Sequence, residues 1–131
     1  MQPMAVPMSE QTYNLRVREL FAQLTHAGSL NPAHDLLRFT VGAHEQGAYA
    51  DFSVAHGKSC IELVRYQAYG CPHFLAACEW LASWLEGRAW LELSMWDWRD
   101  VEHVLDVPAN KRARLLLLDD VIGQLRRLQP G

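Results

Sequence analysis

Tyr69-Gly70-Cys71-Pro72 joins a run of alternating, β-branched residues (Ile61–Tyr69) to an apolar segment with helical spacing (His73–Glu86). Because the hydrophobic period changes from two to 3.6 across this tetrapeptide, it predicts a strand-to-helix junction. Pro72 has no N–H and a preset φ, so it suits the first helical turn and leaves Cys71 at the N-cap. Backbone amides converge there, and together with the helix dipole they favour a thiolate.

Three interpretations of Cys71 stay open at this point. The first is a small, buried residue that caps a helix, because free cysteine is among the most buried residue types. The second is a ligand for a metal or a cluster, and the third is a reactive thiol. The last two would make the junction the chemically active part of the chain.

Upstream of the junction, the sequence predicts one helix and three strands. Ser9 caps a first helix from Glu10 to His26, and Gly28 ends it. Alternating residues then predict a meander of antiparallel strands over Leu36–Val41, Ala48–Ala55 and Cys60–Tyr69, with a turn at His56-Gly57-Lys58.

Downstream of the junction, the pattern is helical. The helix after Cys71 ends at Gly87, and a last one runs from about Asn110 to Gln129. A shorter helix between them carries Trp98, Val101, Val104 and Leu105. Strands first and helices afterwards favour an α+β fold, in which a three-stranded antiparallel sheet is packed by helices on one face.

Composition limits the class of protein. The 131 residues, 50% hydrophobic, suffice for one domain over residues 9–131, after a leader (residues 1–8) that we expect to be flexible. A net charge of -3 argues against nucleic acid and anionic membrane surfaces as partners. No apolar run approaches the roughly 20 residues of a membrane helix. Three cysteines without paired spacing fit a reducing compartment, so we expect a cytoplasmic protein.

Four stretches, taken in order, resemble the family of iron–sulfur cluster assembly scaffolds, IscU and the N-terminal domain of NifU. The resemblance extends from about Tyr13 to Leu128 and implies the same α+β fold, a carrier rather than an enzyme, and partners of the cysteine desulfurase or chaperone type. The stretches are Tyr13-Asn14-Leu15-Arg16-Val17 with Ala27-Gly28-Ser29-Leu30, Tyr69-Gly70-Cys71, Trp84-Leu85-Glu86-Gly87-Arg88, and Leu117-Leu118-Asp119-Asp120-Val121-Ile122.

The resemblance also maps the three ligand cysteines of the family onto this chain, and only Cys71 is retained. His44 takes the position of the first cysteine and Gln46 that of the aspartate beside it. The third cysteine falls on Arg114, which cannot ligate a metal because it stays protonated. The chaperone-recognition loop of the family is reduced to Val107-Pro108-Ala109-Asn110-Lys111, which puts a chaperone contact in doubt.

Two predictions for the altered site follow. In one, Cys71, His44 and His73, with Glu45 as a fourth ligand, hold iron, zinc or a labile iron–sulfur cluster. In the other, Arg114 pairs with Glu45 or with a Cys71 thiolate, and the site has no cofactor. The remaining histidines are interpreted as ordinary surface residues: His26, His34, His56 and His103.

The sequence therefore leaves more than one class of function open. The chain is either a metal or cluster carrier in iron–sulfur biogenesis with a degenerate site, or a non-metal interaction module that retains the fold. A monothiol redox role is a third class, but Phe74 stands where a resolving cysteine would be. Trp80 and Trp84 share a helix face, which predicts a homodimer if the sheet leaves them uncovered.

Overall fold

Three strands and four helices make up residues 13–30 and 36–128, the part of the chain that the computed structural model describes. Three short 3₁₀ turns separate some of them, at His44–Gln46, Trp90–Met95 and Ala109–Lys111. In chain order the helices and strands are α1 (Leu15–Ala22), β1 (Leu36–Ala43), β2 (Ala48–His56), β3 (Ile61–Tyr69), α2 (Pro72–Leu85), α3 (Trp98–Leu105) and α4 (Arg112–Arg127).

The sheet has the order β1-β2-β3, and both neighbouring pairs are antiparallel. Ala43 pairs with Ala48 across the tight β1–β2 connection, and Tyr49 pairs with Tyr69 at the same end of the sheet. The β1–β2 turn therefore lies beside the end of β3, where Cys71 follows.

The core forms between the sheet and the helices. One face of β2 is buried in the core, at Ala48, Ala50, Phe52 and Val54, and toward the end of the strand Ser53 and Ala55 on the other face are buried as well. Helix α2 packs against β3 and α4 packs against β1. The α+β fold with a three-stranded antiparallel sheet packed by helices is confirmed.

The limits predicted for α1 were wrong. The helix begins after Asn14, whose side-chain oxygen accepts a hydrogen bond from the Val17 N–H at 3.0 Å. It ends at Ala22, and the chain then leaves the helical path so that Gly28 donates to the Tyr66 carbonyl. Ser9, the leader and His34 lie outside the described residues.

Other boundaries were closer. The three strands agree with the predicted runs to within two residues, and α3 contains the four residues predicted to lie on it, Trp98, Val101, Val104 and Leu105. Helix α4 begins at Arg112 rather than at Asn110, because Ala109–Lys111 forms a 3₁₀ turn. In the described segments, no helix is long and apolar enough to cross a membrane.

Candidate functional site

Cys71 is the N-cap of α2, at the predicted strand-to-helix junction. Its backbone is extended, with φ -75° and ψ 166°, and Pro72 is the first helical residue. Gly70 has a steric role, because a Cβ there would lie 2.7 Å from Cδ2 of the buried Phe74. Glycine thus allows the Phe74 ring to pack beneath the junction.

The Cys71 thiol is half-buried and makes no side-chain capping hydrogen bond. Tyr13 lies near it: burial, and then the negative charge of a Cys71 thiolate, raise the pKa of the Tyr13 hydroxyl. Tyr13 is a site residue that the sequence pattern did not identify, although it opens the stretch that resembles the scaffold family.

His73 is buried, with an exposed fraction of only 2%. Its ring packs against Tyr13 at 4.7 Å between centroids, and its Nδ1 lies 3.3 Å from the Lys111 ammonium. Burial, then the charges of Lys111 and Arg114, lower the pKa of His73 to about 4, although Asp106 opposes them. His73 is therefore neutral at pH 7.

The tautomer of His73 follows from its neighbour. Because an ammonium group only donates, Nδ1 of His73 must be the acceptor of the Lys111 hydrogen bond, and the ring proton is on Nε2. Nε2 is buried and has no hydrogen-bond partner in the described structure. Neither nitrogen offers a free lone pair to a metal in this arrangement.

The β1–β2 turn carries His44, Glu45 and Gln46, all of them exposed. The His44 ring stacks on Tyr49 at 4.6 Å and contacts Tyr69 at 4.9 Å between centroids. Since Tyr69 precedes Cys71 by two residues, these contacts bring the turn to the edge of the Cys71 site.

Arg114 reaches the same turn from the start of α4. Its Nη2 lies 3.2 Å from the position that a Cβ of Gly47 would take. Within the described residues, neither Arg114 nor Lys111 has a carboxylate partner within salt-bridge distance, whereas Arg112 pairs with Glu102 at 2.6 Å. The predicted ion pair of Arg114 with Glu45 is therefore not formed.

The side chains at the site do not fit a metal held by this chain alone. Among residues 13–30 and 36–128, no three His, Cys, Asp or Glu side chains lie close enough together to hold a metal ion. The Lys111 ammonium donates a hydrogen bond to Nδ1 of His73, so this nitrogen is not available to a metal. Arg114 brings a further positive charge to the β1–β2 turn. Metal ligation by Cys71, His44, Glu45 and His73 stays a prediction.

One histidine interpreted as a surface residue belongs to a polar network instead. The two ring nitrogens of His26 face the carboxylates of Glu79 and Glu86. Glu79 is 3% exposed, and it also accepts hydrogen bonds from Thr25 Oγ1 at 2.9 Å and the Tyr66 hydroxyl at 3.0 Å. The signal in the sequence was a single carboxylate inside the apolar stretch of α2.

Comparison with known proteins gives a family match and structural neighbours. The family model for the NifU-like N terminal domain matches residues 12–124. A comparison with curated proteins finds no match.

Two crystal structures share the fold. One is from Fervidobacterium islandicum, assigned as an iron–sulfur cluster assembly scaffold protein for the SUF system. It has a TM-score of 0.64 and 13% identity, over 89% of this chain and 98% of that one. The other is the N-terminal part of a nitrogen-fixing NifU-like protein from Brucella abortus. It has a TM-score of 0.55 and 18% identity, over 87% of this chain and 80% of that one.

Proposed function

The chain belongs to the family of NifU-like N-terminal domains, and from this membership we propose that it acts in iron–sulfur cluster assembly as a scaffold-like accessory with one site thiol. The observation that supports the proposal is the position of Cys71. It caps α2 beside the β1–β2 turn and the start of α4, the three places onto which the resemblance maps the ligands of the family.

The proposed role of Cys71 is to contribute a single thiolate. Iron, zinc and iron–sulfur clusters in proteins take about four protein ligands per site. Residues 13–30 and 36–128 do not bring even three such side chains together, so the remaining ligands for a transferred metal or labile cluster come from a partner. The positive charges of Lys111 at His73 and of Arg114 at the β1–β2 turn oppose the binding of a bare cation.

The partners in this proposal are iron–sulfur assembly proteins, above all one of the cysteine desulfurase type. The loop from Val107 to Lys111 differs from the chaperone-recognition loop of the family, so the proposal includes no chaperone contact. The three free cysteines, Cys60, Cys71 and Cys78, fit the reducing cytoplasm.

The test is iron and sulfide retention in an anaerobic mixture of the chain, a cysteine desulfurase, cysteine and ferrous iron. We expect retention by the complex to require Cys71, and therefore to fall with Cys71→Ser and to survive Cys60→Ser. The chain alone should retain less than one iron per chain. Equal retention by both variants would contradict the role given to Cys71.

A second candidate function is a non-metal interaction module with the scaffold fold. The observation in its favour is that Lys111 at His73 and Arg114 at the β1–β2 turn have no carboxylate partners in the described segments. In that case Cys71→Ser would bind the desulfurase as well as the wild type does, and neither would retain iron. A dithiol redox cycle has less support, because Phe74 is buried where a resolving cysteine would be and Cys78 is fully buried.

A further inference from the structure

The two edges of the sheet differ in how they are covered. At the β3 edge, Tyr66 exchanges two backbone hydrogen bonds with residues 26–28, and Ile61 exchanges two with residues 87–88. At the β1 edge, no backbone group bonds to a described residue outside β2. Alternate N–H and C=O groups of β1 therefore point away from the sheet without a partner in the part of the chain that the structure describes.

A cleft of about 540 Å³ runs along this open edge. One wall is Thr40, Val41 and Gly42 of β1, and the other is formed by residues 119–127 of α4. Thr40 is exposed on the outer face of the sheet and Val41 is buried on the inner face, so the cleft passes the edge of the strand itself. Since α4 packs against β1, the open strand and the exposed side of α4 form one surface, the β1–α4 face.

The charges of α4 on this face are ordered about Gly123. Asp119 and Asp120 precede Gly123 by four and three residues, and Arg126 and Arg127 follow it by three and four. All four side chains are exposed. Residues three or four apart share one side of a helix, so the surface is acidic on one side of Gly123 and basic on the other.

These four charges have no ion-pair partner among the described residues. The arginines of the neighbouring segments pair elsewhere, as Arg38 with Asp51, Arg99 with Asp97 and Arg112 with Glu102. The acidic and basic groups of α4 are therefore available to a partner.

Packing within the chain does not require glycine at position 123. A Cβ there would meet only Nη1 of Arg127, at an ordinary 3.8 Å. Glycine in a helix interior is destabilising relative to alanine. A close approach of another molecule at this point of α4 would explain why a side chain is absent.

A second copy of the chain supplies the complement of this face. A two-fold axis perpendicular to the sheet, beside β1, sets the two β1 strands antiparallel and joins the two three-stranded sheets into one. The same axis reverses α4, so Asp119 and Asp120 of one copy face Arg127 and Arg126 of the other, and the helices cross at Gly123. An extended peptide would also fill the strand edge, but the reversal of charge about Gly123 matches the chain itself.

We propose that the β1–α4 face is a homodimer interface, with the two-fold axis perpendicular to the sheet and close to Gly123. Its occupant is a second copy of this chain. The inference does not rest on the proposed function, because no residue of the Cys71 site takes part in it.

The tryptophan pair of α2, from which the sequence predicts a homodimer, lies outside this interface. Trp80 and Trp84 are both partly buried. The Arg16 guanidinium lies 5.5 Å from the centroid of the Trp80 ring, and that of Arg88 lies 4.1 Å from the Trp84 ring. These cations cover part of each ring, so a homodimer through the tryptophans stays a prediction.

The first test is the oligomeric state of the full chain by sedimentation equilibrium. We expect a dimer whose dissociation constant rises about tenfold or more with Asp119→Arg or with Arg127→Glu, because each change makes two attractive contacts repulsive. The double variant exchanges the charges and should recover most of the loss. Asp100→Arg, the same change at an exposed position of α3, is the matched control, and circular dichroism checks that every variant is folded.

Two further measurements separate an interface from an effect on the fold. Gly123→Gln should weaken the dimer, although glutamine is a better helix former than glycine. Hydrogen exchange should be slow at the β1 amides that point away from β2 in the dimer, and fast at the same amides in Asp119→Arg.

A wild-type chain that stays monomeric at all concentrations would overturn the inference, and so would a dimer that responds equally to Asp100→Arg. A double variant that is weaker than both single variants would exclude the proposed axis. Fast exchange of these amides in the dimer would place the interface elsewhere. Slow exchange in a monomeric chain would show that another segment of the same chain covers the edge.

Discussion

The Cys71 thiol lies at the amide end of α2, where Pro72 is the first helical residue. The contrast with Cys78 is informative, because both residues belong to the same helical segment. Cys78 is fully buried, and its burial raises the pKa of its thiol well above the usual range. Reactivity toward small reagents should therefore separate the two.

We expect iodoacetamide to label Cys71 in the native protein and Cys78 only after unfolding. Mass spectrometry of digests, taken over a time course at several pH values, measures both sites in one sample. Cys71→Ser should abolish the fast labelling, whereas Cys60→Ser should keep it. Faster labelling of Cys60 or Cys78 than of Cys71 in native protein would show that the junction thiol is not the reactive one.

Arg114 is the residue that most changes what the site can hold. Replacing it together with His44, as Arg114→Cys and His44→Cys, should give three thiolates and allow a cluster to be reconstituted, with visible absorption as the measurement. The matched control is the double serine variant, which removes the same side chains without adding thiols. A wild-type chain that already holds one stable cluster would refute the prediction that Arg114 keeps a cluster out of the site. Failure of the double cysteine variant would leave the assignment of His44 and Arg114 to the ligand positions of the family unsupported.

The burial of His73 makes the stability of the fold depend on pH. Its pKa is about 4 in the folded chain and about 6.5 when unfolded, so the unfolded chain binds the proton first as the pH falls. Above pH 6.5 this titration therefore leaves the free energy of unfolding unchanged. Between pH 6.5 and pH 4 it lowers the free energy of unfolding by up to about 3 kcal/mol. Urea unfolding at pH 7 and pH 4.5 measures the loss.

His73→Gln is the control for this pH dependence, because it keeps an uncharged polar side chain that does not titrate. The difference in unfolding free energy between pH 7 and pH 4.5 should be smaller in the variant than in the wild type. An equal difference in both would assign the acid sensitivity to other groups, such as Glu86, whose pKa, despite burial, is lowered by its hydrogen bonds to Val64 and Arg65.

At the scale of the elements, the polar network around Glu79 fastens the segment after α1 to α2 and β3. Glu79 accepts from the His26 backbone N–H at 3.0 Å, and Glu86 accepts from the Val64 N–H at 2.9 Å and from Arg65 at 2.7 Å. Burial, and the nearby charge of Glu79, raise the pKa of the Tyr66 hydroxyl. The network therefore joins three parts of the chain through two carboxylates, of which Glu79 is the buried one.

Glu79→Gln should destabilise the fold by about 2 to 4 kcal/mol. A glutamine amide cannot accept all the hydrogen bonds that the Glu79 carboxylate accepts, so buried donors are left unpaired. Glu19→Gln makes the same chemical change in an exposed ion pair and should cost less than about 0.5 kcal/mol. Thermal and urea unfolding compare the two variants. Similar losses in both would contradict the structural role of Glu79.

This network also explains which parts of the fold could be predicted. The strands and the junction at Cys71 follow from local alternation and from Pro72, so the sequence pattern was sufficient for them. The end of α1 depends on His26 meeting Glu79, which is 53 residues further along the chain. Contacts of that separation leave no periodic signal, so α1 was predicted too long and His26 was assigned to the surface.

At the scale of the whole molecule, the fold and the family were predictable and the chemistry of the site was only partly so. The order of helix, three strands and helices gave the α+β architecture, and the four matching stretches gave the family. The meeting of Arg114 with the β1–β2 turn was expected from the resemblance. Neither Tyr13 beside Cys71 nor Lys111 at His73 was expected, because both depend on how α1 and α4 dock on α2.

The contact of Lys111 with His73 spans 38 residues and sets the order in which the site is completed during synthesis. When the ribosome has released the sheet and α2, His73 is already at the start of its helix, but Lys111 and Arg114 have still to emerge and dock. Until they do, the nascent chain carries His73 without the two cations that lower its pKa. A truncated product that ends before α4 would therefore expose this imidazole in a different electrostatic setting from the finished protein.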